Sequence, residues 1–139
     1  MRLNPYLAFG GDCEEAINFY QECFGGKIEE LHRFGEGPDE IGGTKVPEHL
    51  KDKVMHMTFR FGDNVIMGAD SIESPPADSN VQLTIGMNDV DKMTAIFDKL
   101  SQGGQVTMPL QDTFWGARFG LFTDRFGVKW MFNCESGHS

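Results

Sequence analysis

No stretch of this chain approaches the roughly 18 to 20 consecutive apolar residues that a membrane-spanning helix needs, and no basic region followed by an apolar one opens it. The sequence therefore predicts no membrane partner and a cytoplasmic location. Positive charge is scarce as well: 12 Lys and Arg stand against 21 Asp and Glu, a formal net charge of −9. A phosphate backbone would be repelled at long range, so nucleic acid is not an expected partner. Cysteine is limited to Cys13, Cys23 and Cys134, an odd number without C-x-x-C spacing. That pattern suits reduced thiols better than a disulfide framework. No glycine-rich loop opens a helix after a strand, which removes the usual dinucleotide or phosphate cradle.

What is present is an ordinary globular composition, 40% hydrophobic with 12 Phe in 139 residues, enough for one domain or two small halves sharing one core. The clearest pattern lies near the C-terminus. Ala117 to Thr123 alternates Phe119, Leu121 and Thr123 with Arg118, Gly120 and Phe122. Asp124-Arg125-Phe126-Gly127 reads as a turn, and Val128 to Cys134 runs back with Val128, Trp130, Phe132 and Cys134 on one face. A fainter copy lies upstream: Lys53 to Phe61, Gly62-Asp63, then Asn64 to Asp70.

Taken in order, Leu3 to Phe9 reads as a strand that Pro5 delays or confines to an edge. Asp12 is the predicted N-cap of a helix, with Glu15 completing a capping box and Ala16, Phe19, Tyr20 and Cys23 at helical spacing. Gly25-Gly26 ends it, Lys27 to Phe34 is a second strand, and Gly35 to Asp52 is a long loop. Beyond the first hairpin, Ser71 to Ser79 reads as an extended connector. Val81 to Met87 is then a strand, Asn88 or Asp89 caps a helix carrying Val90, Met93, Ile96, Phe97 and Leu100, and Gln105 to Pro109 is a short strand. A shift of about 77 positions superposes Asp12 on Asp89, Phe19-Tyr20 on Ile96-Phe97 and Gly26 on Gly103. The expectation is an α+β fold of two βαβββ modules, residues 1–70 and 80–139 joined by a linker at 71–79. Their mixed sheets would curve around a shared cavity, with the helices on the outer face.

This order resembles the vicinal oxygen chelate superfamily, which includes glyoxalase I, extradiol dioxygenases and the bleomycin and fosfomycin resistance proteins. Asn4-Pro5-Tyr6-Leu7-Ala8-Phe9, Ala16-Ile17-Asn18-Phe19-Tyr20, Phe24-Gly25-Gly26, Met67-Gly68-Ala69-Asp70, Phe114-Trp115-Gly116-Ala117-Arg118 and Asp124 to Trp130 are similar to its PhnB-like branch. Names in that branch often read demethylubiquinone methyltransferase-like. The resemblance implies metal ligands, His or Glu, on the first and last strand of each half. Those strands offer Asn4, Pro5 or Tyr6, then Met67 or Gly68, then Gln82, and finally Met131. Thioethers and amides are poor ligands for hard or borderline divalent ions, so no metal and no cofactor are expected there. A displaced metal set of Glu48, His49, His56 and Asp70 is the weaker alternative. Cys13 follows a predicted cap, but Asp12, Glu14 and Glu15 oppose a lowered thiol pKa, so a buried structural thiol is favoured over a nucleophile. The resemblance further implies a homodimer.

The cavity itself remains. If Gly62-Asp63 makes a two-residue turn, Thr58 pairs with Met67, and His56, Thr58, Arg60 and Met67 face inward. A one-residue slip would substitute Met55, Met57 and Phe59. The second half is expected to add Gln82, Thr84, Arg118, Phe122, Met131 and Asn133, with Trp115 at the rim. The candidate ligand-binding set is thus Tyr6, His56, Thr58, Met67, Gln82, Trp115, Arg118, Met131 and Asn133, mostly apolar with a few polar handles. Three functions compete: a metal-free binder of a small apolar or planar molecule, an enzyme of glyoxalase or dioxygenase type using a displaced metal, and a metal-free enzyme with His56 as acid or base.

Overall fold

The computed structural model describes residues 1–73, 79–113 and 116–134, and the chain divides into two compact units, residues 1–77 and 78–139. In the first unit β1 (Tyr6–Phe9), α1 (Cys13–Phe24), β2 (Lys27–Arg33), β3 (Glu40–Ile41), β4 (Thr44–Lys45), β5 (Val54–Phe61) and β6 (Asn64–Asp70) follow one another. Its main sheet has the order β1-β6-β5-β2, with β1 parallel to β6 and the other pairs antiparallel. The second unit repeats this plan with β7 (Leu83–Gly86), α2 (Val90–Leu100), β8 (Gln105–Asp112), β9 (Arg118–Thr123) and β10 (Lys129–Cys134). Its sheet order is β7-β10-β9-β8, and again the first and last strands are parallel. The fold is α+β, built from two βαβββ modules each with a four-stranded mixed sheet.

In the first module α1 buries Cys13, Ala16, Ile17, Tyr20 and Cys23 along one stripe and packs on β5 and β6. Met57, Phe59 and Ile66 form the buried side of those strands, and Phe24 of α1 stacks on Phe61 with ring centroids 4.6 Å apart. The predicted capping box does not form. Asp12 makes no side-chain cap bond; instead Asp70, at the far end of β6, accepts from the backbone N–H groups of Gly11 and Cys13 at 3.0 and 2.9 Å. Its other oxygen accepts from the Val54 N–H at 2.9 Å. One buried carboxylate thus caps α1 and ties β5 to β6. Past the helix, Gly26 sits at φ 89°, where a Cβ would lie 2.4 Å from the Arg60 carbonyl oxygen, so only glycine fits.

The stretch read as a loop over 35–52 is more ordered than predicted. One-turn helices at Phe34–Glu36 and Glu48–Leu50 flank the β3–β4 hairpin. Phe34, Val46 and Leu50 are buried together, with Ile41, Met55 and Ile72 packed against them. Between β2 and β5 this insertion gives the first module a small satellite core.

In the second module Asp89 caps α2 by accepting from the Lys92 N–H at 3.0 Å. Phe97 of α2 meets Phe122 and Phe132 edge-on, at 4.8 and 5.6 Å between centroids. Strand bounds differ from expectation: β7 covers Leu83–Gly86 rather than Val81 to Met87, and β9 starts at Arg118 rather than Ala117. β8 runs on through Pro109 to Asp112, because it is an edge strand whose pairing with β9 is broken by irregularities between Val106 and Gln111. β10 begins one residue late, at Lys129. The Asp124 carboxylate accepts from the Phe126 and Val128 N–H groups, drawing Val128 into the turn, and Thr123 consequently pairs with Lys129 rather than Val128. That single step moves Arg118 and Phe122 to the α2 side of the sheet, opposite Met131 and Asn133. Among the described residues, no helix is long and apolar enough to cross a membrane.

Candidate functional site

Gly62-Asp63 makes the two-residue turn, so Phe61 pairs with Asn64 and Thr58 with Met67. β1 then lies beside β6 with Tyr6 opposite Met67. These two registers place Tyr6, His56, Thr58, Arg60 and Met67 on the face of the first sheet away from α1. Tyr6 is 52% exposed there.

Three of these side chains form one polar row. The Tyr6 hydroxyl is 3.1 Å from His56 Nδ1, and His56 Nε2 is 3.1 Å from the Thr58 hydroxyl. A neutral imidazole has one donor and one acceptor nitrogen, and two hydroxyls satisfy either tautomer. Burial and the Cys13 thiol raise the Tyr6 phenol above its ordinary pKa, so it stays a neutral hydroxyl near pH 7. The tilted Tyr6 and His56 rings, 5.7 Å apart, make a short aromatic ledge.

Two further residues join the row that the sequence did not single out. Glu30 Oε2 lies 3.9 Å from His56 Nε2 and 3.7 Å from His32 Nε2. Both belong to β2, whose pairing with β5 carries irregularities between Ile28 and Glu30 and between His32 and Arg33. Those irregularities break the simple alternation by which the face of β2 would be read. Arg60 on the same face is held by Glu29 at 3.0 Å.

In the second module Thr84 lies opposite Met131 on the face away from α2, its hydroxyl 3.7 Å from the Met131 sulfur. Asn133 is opposite Gly86 and Phe119 on that face. Gln82 precedes β7, and Trp115 lies outside the described residues. Arg118, expected inward, is instead bonded to Asp112 at 3.2 Å on the other side of the sheet.

The displaced metal set is not gathered. Asp70 is 2% exposed with both oxygens engaged by backbone N–H groups, and His56 is bound into the row with Tyr6 and Thr58. Among the described residues no group of three or more His, Cys, Asp or Glu side chains is placed to hold a metal ion. At the positions where the resemblance implies ligands, the first module supplies the phenol of Tyr6 and the thioether of Met67; in the second, the residue opposite the Met131 thioether is Thr84, a hydroxyl, while Gln82, the expected position, precedes β7. That donor chemistry does not fit a hard or borderline divalent ion. Cys13 is fully buried and its thiol is pushed up to about 12, mainly by burial and next by the Asp70 carboxylate. It is a core side chain, and among the described residues Cys13, Cys23 and Cys134 are buried and in no disulfide.

Comparison with known proteins places this geometry in context. Residues 2–132 match the model of the Glyoxalase/Bleomycin resistance protein/Dioxygenase superfamily. Protein YjdN of Escherichia coli is 34% identical over 96% of this chain and 95% of its own length. The crystal structure of protein PA1353 from Pseudomonas aeruginosa superposes with a TM-score of 0.84 at 36% identity, covering 97% of this chain and 98% of that one. A structure from Bacillus cereus described as a putative 3-demethylubiquinone-9 3-methyltransferase, PhnB protein, gives 0.80 at 26% identity, over 96% and 99% of the two chains. Two βαβββ modules, each pairing its first strand in parallel with its last, and a family match across nearly the whole length lead to one assignment: the chain belongs to the glyoxalase/bleomycin resistance protein/dioxygenase superfamily.

Proposed function

We propose that this protein binds a small apolar or planar molecule on the sheet face carrying Tyr6, His56, Thr58 and Met67, without a metal ion. The observation that carries the reading is the pinned His56. Both its ring nitrogens already have hydroxyl partners, at 3.1 Å each, so it offers a fixed ring surface rather than a free proton acceptor. Beside it, the half-buried Met67 supplies an adaptable thioether. In the second module Thr84, Met131 and Asn133 supply a matching face, with Gln82 at its edge. Each such face lies on the side of its sheet away from its own module's helix, and a homodimer would enclose these surfaces. Buried cysteines outside any disulfide suit a reducing, cytoplasmic setting.

The test is a thermal-shift screen of planar heteroaromatics against the untagged protein, with the metal content measured by mass spectrometry before and after dialysis against divalent ions. The reading expects stabilisation by at least one planar compound, lost in His56→Ala and Met67→Ala, and well under one ion per chain. One retained ion per chain, or ligand binding that both substitutions leave unchanged, overturns it. Light scattering at micromolar concentration is expected to give a dimer; a monomer refutes the enclosed-face arrangement.

A further inference from the structure

The insertion between β2 and β5 does more than fold on itself. Between it and the end of β6 lies an open cleft of about 330 Å³ walled by Phe34, Ile41, Met55, Ala69 and Ile72, with Thr44 and Ser71 also in its lining. Ala69 stands two residues beyond Met67 on β6 and therefore on the same face of the sheet, so the cleft adjoins the face that carries the Tyr6–His56–Thr58 row. A benzene-sized ligand occupies ~150 Å³ of an engineered apolar cavity, so the cleft has room for one substituted ring or a branched hydrocarbon laid against these walls.

The walls also limit the charge of what enters. Asp70 borders the cleft, but its oxygens are committed to the N–H groups of Gly11, Cys13 and Val54. The exposed carboxylate at the rim is Glu73. The lining offers no Lys, Arg or His, and the chain carries a net charge of −9. An anionic group would be desolvated without a partner, whereas an apolar one gains from burial against Ile41, Met55 and Ile72. In the second module the corresponding connection is short, since β8 ends at Asp112 and β9 starts at Arg118.

We infer that this cleft is a specificity subsite for an uncharged apolar group of the ligand, one ring or a branched alkyl chain, and that Ile41 and Ile72 set its size. The inference rests on the proposed binding face, which it extends. The probe is toluene, titrated into the full-length protein carrying ¹³C-methyl Ile and Met, with acridine as a larger planar probe of the open face. Toluene is expected to shift the Ile41, Ile72 and Met55 methyls saturably. Ile72→Trp, which fills the cleft, is expected to weaken toluene at least tenfold while acridine still shifts Met67. Ile41→Phe, a smaller filling change, gives the same direction should the tryptophan variant fail to fold. Absence of saturable shifts at Ile41 and Ile72, or toluene binding undiminished in both filled variants, overturns the subsite. Toluene binding with no acridine response at Met67 refutes the open-face reading alone and leaves the cleft as a site in its own right.

Discussion

Replacing Asp70 is the sharpest perturbation of the first module. Its side chain is 2% exposed and accepts three backbone N–H groups at 2.9 to 3.0 Å, two at the start of α1 and one at the start of β5. Asp70→Asn keeps one acceptor oxygen and turns the other position into an N–H₂ donor. If Oδ1 retains Gly11 and Cys13, the Val54 N–H then faces a second donor inside the protein. Losing one charge-assisted bond and leaving a buried donor unpaired costs about 2–4 kcal/mol. Asp70→Ala leaves all three donors without their acceptor and also uncaps α1, for about 4–6 kcal/mol once caps and bonds are not counted twice. Urea unfolding at pH 7 measures both, and hydrogen exchange should show faster exchange at Val54 first in the asparagine variant and at Gly11, Cys13 and Val54 together in the alanine variant. A loss below about 0.5 kcal/mol in Asp70→Asn, the range of ordinary surface substitutions, would refute the claim that this carboxylate locks the module.

Other outcomes follow from the same geometry. Gly68→Ala would place a Cβ 2.7 Å from the Leu7 carbonyl oxygen and 3.0 Å from the Met57 methyl, so urea unfolding should show a loss of about 1–3 kcal/mol as β1 is pushed off β6. The Cys13 thiol, raised from 9.0 to about 12 by burial and the Asp70 charge, should resist iodoacetamide at pH 8.5 until the protein is unfolded; stoichiometric native alkylation at that site would contradict its place in the core. Because the folded thiol ionises later than the unfolded one, its contribution to stability is intact below pH 9 and is lost as the pH rises from there toward 12. At acid pH the sign reverses for Glu14, whose carboxyl is lowered by its paired bonds from Arg33 at 2.7 and 3.0 Å. Its stabilising share is present above the ordinary carboxylate range and disappears as the pH falls through the lowered value, so Glu14→Gln should flatten the acid limb of a stability-versus-pH curve.

The first hairpin was legible to within one residue: a two-residue turn at Gly62-Asp63 was one of two registers the sequence allowed, and it is the one that carries Tyr6, His56, Thr58 and Met67 to one face. The second hairpin misled by one residue. Its register depends on a side chain, Asp124, capturing the Val128 N–H, and an Asp opening a turn of this kind is the signal that alternation alone passes over. Glu30 and His32 escaped because the irregularities in β2 interrupt the period on which face assignment depends. The role of Asp70 was invisible for a different reason: two of its donors lie 57 and 59 residues away in sequence, and no local pattern reports a contact of that separation. The insertion did carry a signal, Gly42-Gly43 between Ile41 and Thr44, with both glycines at positive φ, the two-residue hairpin connection.

The strand order also governs when each module becomes complete during synthesis. β6 is the only strand bonded to β1, and β10 the only one bonded to β7, among the described residues. A nascent chain ending before Asn64 therefore holds a first strand with no neighbour and a helix whose cap, Asp70, has not yet been made. Until those last seven residues of the module leave the ribosome, β2 and β5 can pair as a hairpin, but Tyr6 has no strand beside it and α1 has no closed sheet to lie upon. Each half of the molecule is finished by its final strand, so truncation from the C-terminal end of a module removes its centre rather than its edge.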